Sequence, residues 1–160
     1  MNAEQLWRAL TEPAFTQRYW GTELRSDWQP GSTITWLRKG VTIADPEQVV
    51  LESDPYRRLS YTWHTMTAEM AASINLSDEA FARIAAEPRS KVTFDLEQFD
   101  PLVKLTIVHE GFEPDSLMIT MISEGWPRVI SDLKTLLETG ELMPESLEPA
   151  VPKRLGLAGS

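Results

Sequence analysis

The side chains able to do acid–base or nucleophilic chemistry are few. The chain has two histidines, His64 and His109, and no cysteine. Thiolate nucleophiles, disulfides and cysteine-based zinc or iron sites are thereby excluded, and two histidines far apart in sequence do not make an HExxH-type metal site. His109 shares an alternating face with Val103, Leu105 and Ile107 and so points toward an apolar interior. An imidazole there can orient a ligand oxygen or move a proton, since it ionises near pH 6.5, about where general acid–base groups are useful. The same placement also suits a buried histidine held by a backbone carbonyl. His64 follows Trp63 and alternates outward, as a surface residue does.

The carboxylates do not assemble into a catalytic pair. Asp27, Asp54 and Asp100 stand beside turn signals, where an Asp side chain bonds nearby backbone, and Glu110 alternates away from His109. No Ser, His and acid constellation and no Gly-rich phosphate loop is readable, so no catalytic residue, metal or cofactor is expected. Arg57 and Arg58 read as a solvated strand end, with an acidic partner as the alternative. Fifteen basic against 24 acidic residues leave a net charge of −9, which repels phosphate backbones and anionic membranes. Neither nucleic acid nor a membrane is an expected partner. No apolar run reaches the length of roughly 18 to 20 residues that a spanning helix needs, and no signal-peptide pattern opens the chain. The cytosol is the expected compartment.

Aromatic side chains offer a different chemistry. The chain of 160 residues carries six Trp, five Phe and three Tyr within a 42% hydrophobic composition, enough for one packed domain. Trp20, Trp36, Tyr61, Trp63, Phe94 and Trp126 are candidates to line an apolar ligand cavity. Ordinary core is the alternative, because each large aromatic can bury about 150 to 250 Å². Trp20, at a helix end, is the candidate for the cavity mouth.

These residues must be positioned by elements that the pattern predicts. Ala3, Leu6, Trp7 and Leu10 share a helical face with Asn2 as N-cap, and Pro13 opens a second short helix that Gly21 ends. Strands are predicted over 23–26, 32–37, 48–52, 58–64, 91–98 and 102–110, closely spaced as in an antiparallel meander. Leu59, Tyr61 and Trp63, and likewise Val92, Phe94 and Leu96, make one sheet face apolar. Residues 66–90 read as a helical insertion, with Met70, Ala71 and Ile74 and then Phe81, Ile84 and Ala85 at helical spacing and Ser77 as a cap. A long helix over 116–139 is predicted from Ile122, Trp126, Val129, Ile130, Leu133, Leu136 and Leu137, with a kink at Gly125 and Pro127 and an end at Gly140. Residues 141–160 read as a loosely attached tail after a domain over 1–140. An apolar sheet face and one long helix pack together as an α+β fold.

Several ordered stretches carry a family resemblance. They are Leu6-Trp7-Arg8-Ala9-Leu10-Thr11, Tyr19-Trp20-Gly21, Ser26-Asp27-Trp28-Gln29-Pro30-Gly31-Ser32, Asp54-Pro55-Tyr56-Arg57-Arg58-Leu59-Ser60-Tyr61-Thr62-Trp63, His109-Glu110-Gly111-Phe112, Gly125-Trp126-Pro127 and Leu133-Lys134-Thr135-Leu136-Leu137-Glu138-Thr139-Gly140. Over about residues 4–140 the chain resembles the activator of Hsp90 ATPase homologue-like family of the START-like (SRPBCC, Bet v 1-like) superfamily. That resemblance implies a helix-grip fold, in which a curved antiparallel sheet wraps around a long kinked C-terminal helix. It also implies a cavity that in many relatives holds an apolar small molecule. A heat-shock ATPase as protein partner is the second reading, and a cyclase- or hydrolase-like enzyme using the cavity is the third. The eukaryotic activators carry a separate amino-terminal domain that these residues do not match.

Two departures from the family pattern bear on the expectations. Family members have a strand before the first helix, and here the first strand is missing. Three outcomes stay open: the true start lies upstream, the sheet edge is open, or another chain pairs with it as in a homodimer. Where many relatives bend the third strand with a Gly, this chain reads Pro46-Glu47-Gln48-Val49.

Overall fold

Asn2 starts the first helix with a reciprocal cap: its side chain accepts from the Gln5 N–H while the Gln5 side chain accepts from the Asn2 N–H. The computed structural model describes residues 2–63, 67–73 and 75–141. Helix α1 (Ala3–Thr11) buries Leu6, Ala9 and Leu10, and helix α2 (Pro13–Trp20) follows at once, with proline at its first turn and Gly21 (φ 74°) closing it in a left-handed cap. Six strands follow, β1 (Thr22–Arg25), β2 (Thr33–Arg38), β3 (Val41–Asp54), β4 (Arg58–Thr62), β5 (Lys91–Phe99) and β6 (Leu102–Glu110). They form one antiparallel sheet in sequence order. Among the described residues no strand precedes α1.

The sheet curls because β3 changes register twice. Against β2, Val49 faces Thr33 while Ala44 faces Thr35, so a two-residue step on β2 meets a five-residue step on β3. Pro46, which has no N–H to give the ladder, sits inside this bulge, and Asp45 Oδ1 accepts from the Glu47 N–H at 3.0 Å. A second shift between Val50 and Glu52 turns β3 against β4. The strand predicted over 48–52 is therefore part of a 14-residue strand. Its bend is made by a proline-centred bulge rather than by glycine.

The concave face carries Leu24, Ile34, Trp36, Ile43, Val50, Leu59, Tyr61, Val92, Phe94 and Leu96, all buried. Helix α5 (Leu117–Thr139) covers this face with Met118, Val129, Leu133 and Leu136. It is bent, as expected for a helix holding Pro127, which cannot donate to the Ser123 carbonyl one turn earlier. This is the curved sheet and bent helix of the helix-grip architecture.

The insertion between β4 and β5 contains helices α3 (Ala68–Ser73) and α4 (Asp78–Ala85), the second capped by Ser77 accepting from the Ala80 N–H. Ile74 and His64 lie outside the described residues, as does the expected tail from residue 142 onward. Glu87, just beyond α4, fixes the start of α5. Its two carboxylate oxygens accept from the N–H groups of Leu117 (2.6 Å) and Met118 (3.1 Å), beside the Ser116 cap on Ile119. A carboxylate at the positive end of a helix satisfies orphan donors and meets the helix dipole favourably. Glu87→Ala is accordingly expected to lower stability by about 1 to 2 kcal/mol in urea denaturation. A loss below about 0.5 kcal/mol, the scale of an ordinary surface change, would contradict this role.

Candidate functional site

Four tryptophans from four separate places in the chain meet under α5. Trp20 ends α2, Trp36 lies on β2, Trp63 follows β4, and Trp126 sits at the bend of α5. Their ring centroids lie 5.4 Å (Trp20–Trp36), 5.7 Å (Trp20–Trp63), 5.6 Å (Trp20–Trp126), 4.9 Å (Trp36–Trp63) and 5.7 Å (Trp63–Trp126) apart. Tyr61 and Phe94 extend the cluster, Tyr61 to Trp63 at 6.3 Å, Tyr61 to Phe94 at 5.8 Å and Phe94 to Trp126 at 6.0 Å. Aromatic pairs at such separations add about 0.5 to 1.5 kcal/mol each beyond burial. All six aromatics named from sequence thus come together. Trp20, expected at a mouth, is instead enclosed by three other tryptophans and is 8% exposed, because the left-handed turn at Gly21 folds the helix end inward over the sheet.

His109 joins them from β6, with its ring 4.8 Å from Trp63. The Trp126 indole Nε1–H donates to His109 Nδ1 at 3.2 Å, and His109 Nε2 lies 2.9 Å from Ser90 Oγ. An indole N–H only donates, so Nδ1 is the unprotonated nitrogen and the neutral ring carries its proton on Nε2, which donates to Ser90. The partners are two side chains rather than a backbone carbonyl. The imidazole therefore links β6, the start of β5 and the bend of α5.

Beside it, Arg89 clamps the rim of the sheet. It donates to the Trp63 carbonyl at 3.0 Å and to Asp45 Oδ2 at 2.6 Å, with only 19% of its side chain exposed. The guanidinium thus ties the β3 bulge to the end of β4. Below the cluster, Tyr19 donates its phenol to the Ala9 carbonyl at 2.9 Å, and burial holds its ionisation well above the ordinary value. Burial, with the neighbouring Tyr19 phenol next, does the same to Tyr61.

Between sheet and α5, the void bounded by Leu10, Tyr19, Trp20, Tyr61, Phe94 and Trp126 measures about 10 Å³. That is room for about one water. The aromatic walls are closed on one another.

Three buried polar residues on this face were not singled out from sequence: Thr22 and Arg38, which bond each other, and Gln48. Gln48 is fully buried, and among the described residues neither its Nε2 nor its Oε1 has a hydrogen-bond partner. Its neighbour Val49 pairs with Thr33 and donates to Thr62 Oγ1. This register sets Gln48 between the buried Ile34 of β2 and the buried Trp63 just beyond β4. Its alternation with Val50 was the available signal, masked by the polar stretch Pro46-Glu47-Gln48. The other singled-out polar residues serve turns and strand ends. Asp27 accepts from the Gln29 N–H, and its bond with Ser32 first, then that one, holds its carboxyl below the ordinary range. Asp100 accepts from Gln98. Arg58 pairs with Asp95 at 2.6 Å on the outer sheet face, while Arg57 is 80% exposed and 3.9 Å from Asp54.

A curved antiparallel sheet closed over a bent C-terminal helix, with aromatic side chains at their junction, defines a START-like helix-grip protein. The family model described as Activator of Hsp90 ATPase homolog 1-like protein matches residues 1–138, and the chain belongs to that family. No curated protein matches it. Among solved structures, it is similar to a protein of Mesorhizobium loti, with 27% identity, TM-score 0.66 and coverage of 88% of this chain and 92% of that one. It also shares its fold with CalU16 of Micromonospora echinospora, at 19% identity and TM-score 0.60 over 91% of this chain and 73% of that one. The Aha1 dimer of Colwellia psychrerythraea is a further fold relative, at 17% identity and TM-score 0.62 over 87% of this chain and 90% of that one. Among the described residues no helix is long and apolar enough to cross a membrane, and no cluster of metal-ligating side chains occurs.

Replacing His109 by Phe keeps the ring volume and removes both hydrogen bonds, leaving the Ser90 and Trp126 groups without this partner. The expected loss in chemical denaturation is about 1 to 3 kcal/mol, the cost of stranding buried polar groups. An unchanged midpoint would contradict the linking role of the ring.

Proposed function

We propose that this chain binds a hydrophobic small molecule, flat or lipid-like in its apolar part and bearing one polar group, between the curved sheet and α5. The observation that carries this reading is the Gln48 amide, buried without a partner among the described residues on a face that is mostly aromatic and aliphatic, where the buried Arg38 instead donates to Thr22. A stranded amide costs about 1 to 3 kcal/mol, and a ligand hydroxyl, carbonyl or amide placed against it recovers that cost. Trp20, Trp36, Tyr61, Trp63, Phe94 and Trp126 supply the apolar walls. With both nitrogens of His109 already bonded, the imidazole holds the wall in place and the orienting polar contact falls to Gln48.

Entry requires the walls to part. Helix α5 is weakest at its bend, where Pro127 removes a backbone bond, and Trp126 at that bend is the side chain that closes the void. Outward movement of this segment opens the space between Trp126 and Phe94. A closed resting state lowers the apparent affinity by the fraction of open molecules. The second reading, a cochaperone-like partner of a heat-shock ATPase, is supported by the family's description and by the likeness to an Aha1 protein.

Tryptophan fluorescence separates the two readings. Titration with a panel of planar and lipid-like amphiphiles is expected to give saturable changes. Gln48→Leu should weaken the ligands bearing a polar group by about 5- to 150-fold, corresponding to about 1 to 3 kcal/mol, while thermal stability holds or rises because the stranded amide is gone. No saturable response across the panel, together with stimulation of an Hsp90 ATPase by the same protein, would replace the ligand reading with the cochaperone one.

A further inference from the structure

Among the described residues, strand β6 is an edge strand of nine residues, whereas the opposite edge, β1, has four. A long edge presents unpaired backbone donors and acceptors and calls for a partner or a protective device. Which residues present them follows from the hydrogen bonds of β5. Leu96 donates to the Arg57 carbonyl and the Ser90 carbonyl accepts from Trp63, so Ser90, Val92, Phe94 and Leu96 use their backbone groups toward β4. Lys91, Thr93, Asp95 and Glu97 therefore turn theirs toward β6, where they face Glu110, Val108, Thr106 and Lys104. The intervening residues of β6, Val103, Leu105, Ile107 and His109, aim N–H and C=O at the open edge.

We infer that this edge is an interface for a second copy of the chain, β6 pairing antiparallel with β6 about a two-fold axis at Ile107. In that register Ile107 exchanges backbone bonds with the partner's Ile107, and Leu105 does so with the partner's His109. Those are outward-directed residues, so the parity is right for a hydrogen-bonded ladder. The same register sets Lys104 across from the partner's Glu110 and Thr106 across from the partner's Val108, as non-hydrogen-bonded pairs whose side chains lie closest. Lys104 already lies 3.5 Å from Glu97, and Glu110 lies 3.9 Å from Lys91. Pairing therefore builds an alternating row of Glu97, Lys104, the partner's Glu110 and the partner's Lys91, which the axis repeats. A two-fold axis at Leu105 or His109 leaves Lys104 and Glu110 without each other, so the charges select one register. Val108, an apolar side chain 44% exposed, is covered in the pair. This interface stands whether or not the cavity takes a ligand.

Sedimentation of the full chain over a range of micromolar concentrations, with amide exchange on the same samples, tests the inference. A monomer–dimer equilibrium is expected, in which the Leu105, Ile107 and His109 amides become protected as concentration rises while those of Lys104, Thr106 and Val108 are protected throughout. Lys104→Glu or Glu110→Lys alone should weaken the dimer by about tenfold or more, since each places like charges opposite twice. The double variant Lys104→Glu with Glu110→Lys should recover most of that affinity. All three changes fall on exposed ion pairs, which contribute little to folding, so the thermal melts should stay close to that of the original chain. A chain that stays monomeric at every concentration, or a dimer indifferent to both single reversals, would overturn the interface.

Discussion

The packing of Trp63 against Trp20, Trp36, Tyr61, Trp126 and His109 is the contact on which the arrangement depends. It joins α2, β2, β4, α5 and β6 at one point. A twisted antiparallel sheet has no intrinsic reason to stop curling at a given radius. Here the β3 bulge supplies the bend, and the thickness of the tryptophan layer sets the distance at which α5 can lie across it. The Trp126 to His109 hydrogen bond then fixes where along the sheet the helix bend sits, and Glu87 fixes where the helix begins.

The same contact accounts for the state of the cavity. In a fold whose sheet and helix could enclose a large volume, bulky indoles fill the space until only about 10 Å³ is left in the void below Trp126. Filling it this way stabilises the empty protein, and under the proposed ligand reading the walls must part before anything enters. Among the described residues the buried Gln48 amide stands out against this tight closure, because both of its polar atoms lack a partner, whereas Asp132 on α5 leaves one oxygen without one. A core selected for stability alone would place Leu or Met there, and the proposed ligand is what would give this amide a partner. The edge of β6 expresses a similar logic at the surface, with backbone groups and charges arranged to suit an occupant outside the monomer.

Much of this was readable from sequence because local chemistry and tertiary structure agree. Asn2, Pro13, Gly21, Ser77 and Gly140 mark helix ends by capping rules that need no distant contact, and each does so in the structure. Alternation of Leu59 with Tyr61 and of Val92 with Phe94 identified the inner sheet face, which brought the aromatic candidates into one cluster. What escaped notice depends on long-range geometry. The 14-residue length of β3 was hidden by Pro46 and Glu47, which read as a break until the bulge shows how a strand continues past them. Trp20 looked like a rim residue because the turn that folds it inward is set by sheet contacts. The partners of His109 come from an insertion end and a distant helix, and no spacing along the chain relates them.

Native mass spectrometry of the chain purified without detergent, compared with its Gln48→Leu variant, tests the central claim most directly. A small molecule bound to the original chain, released on collisional activation and depleted in the variant, is the result this account predicts. Bare polypeptide in both samples, or equal loading of both, would contradict it.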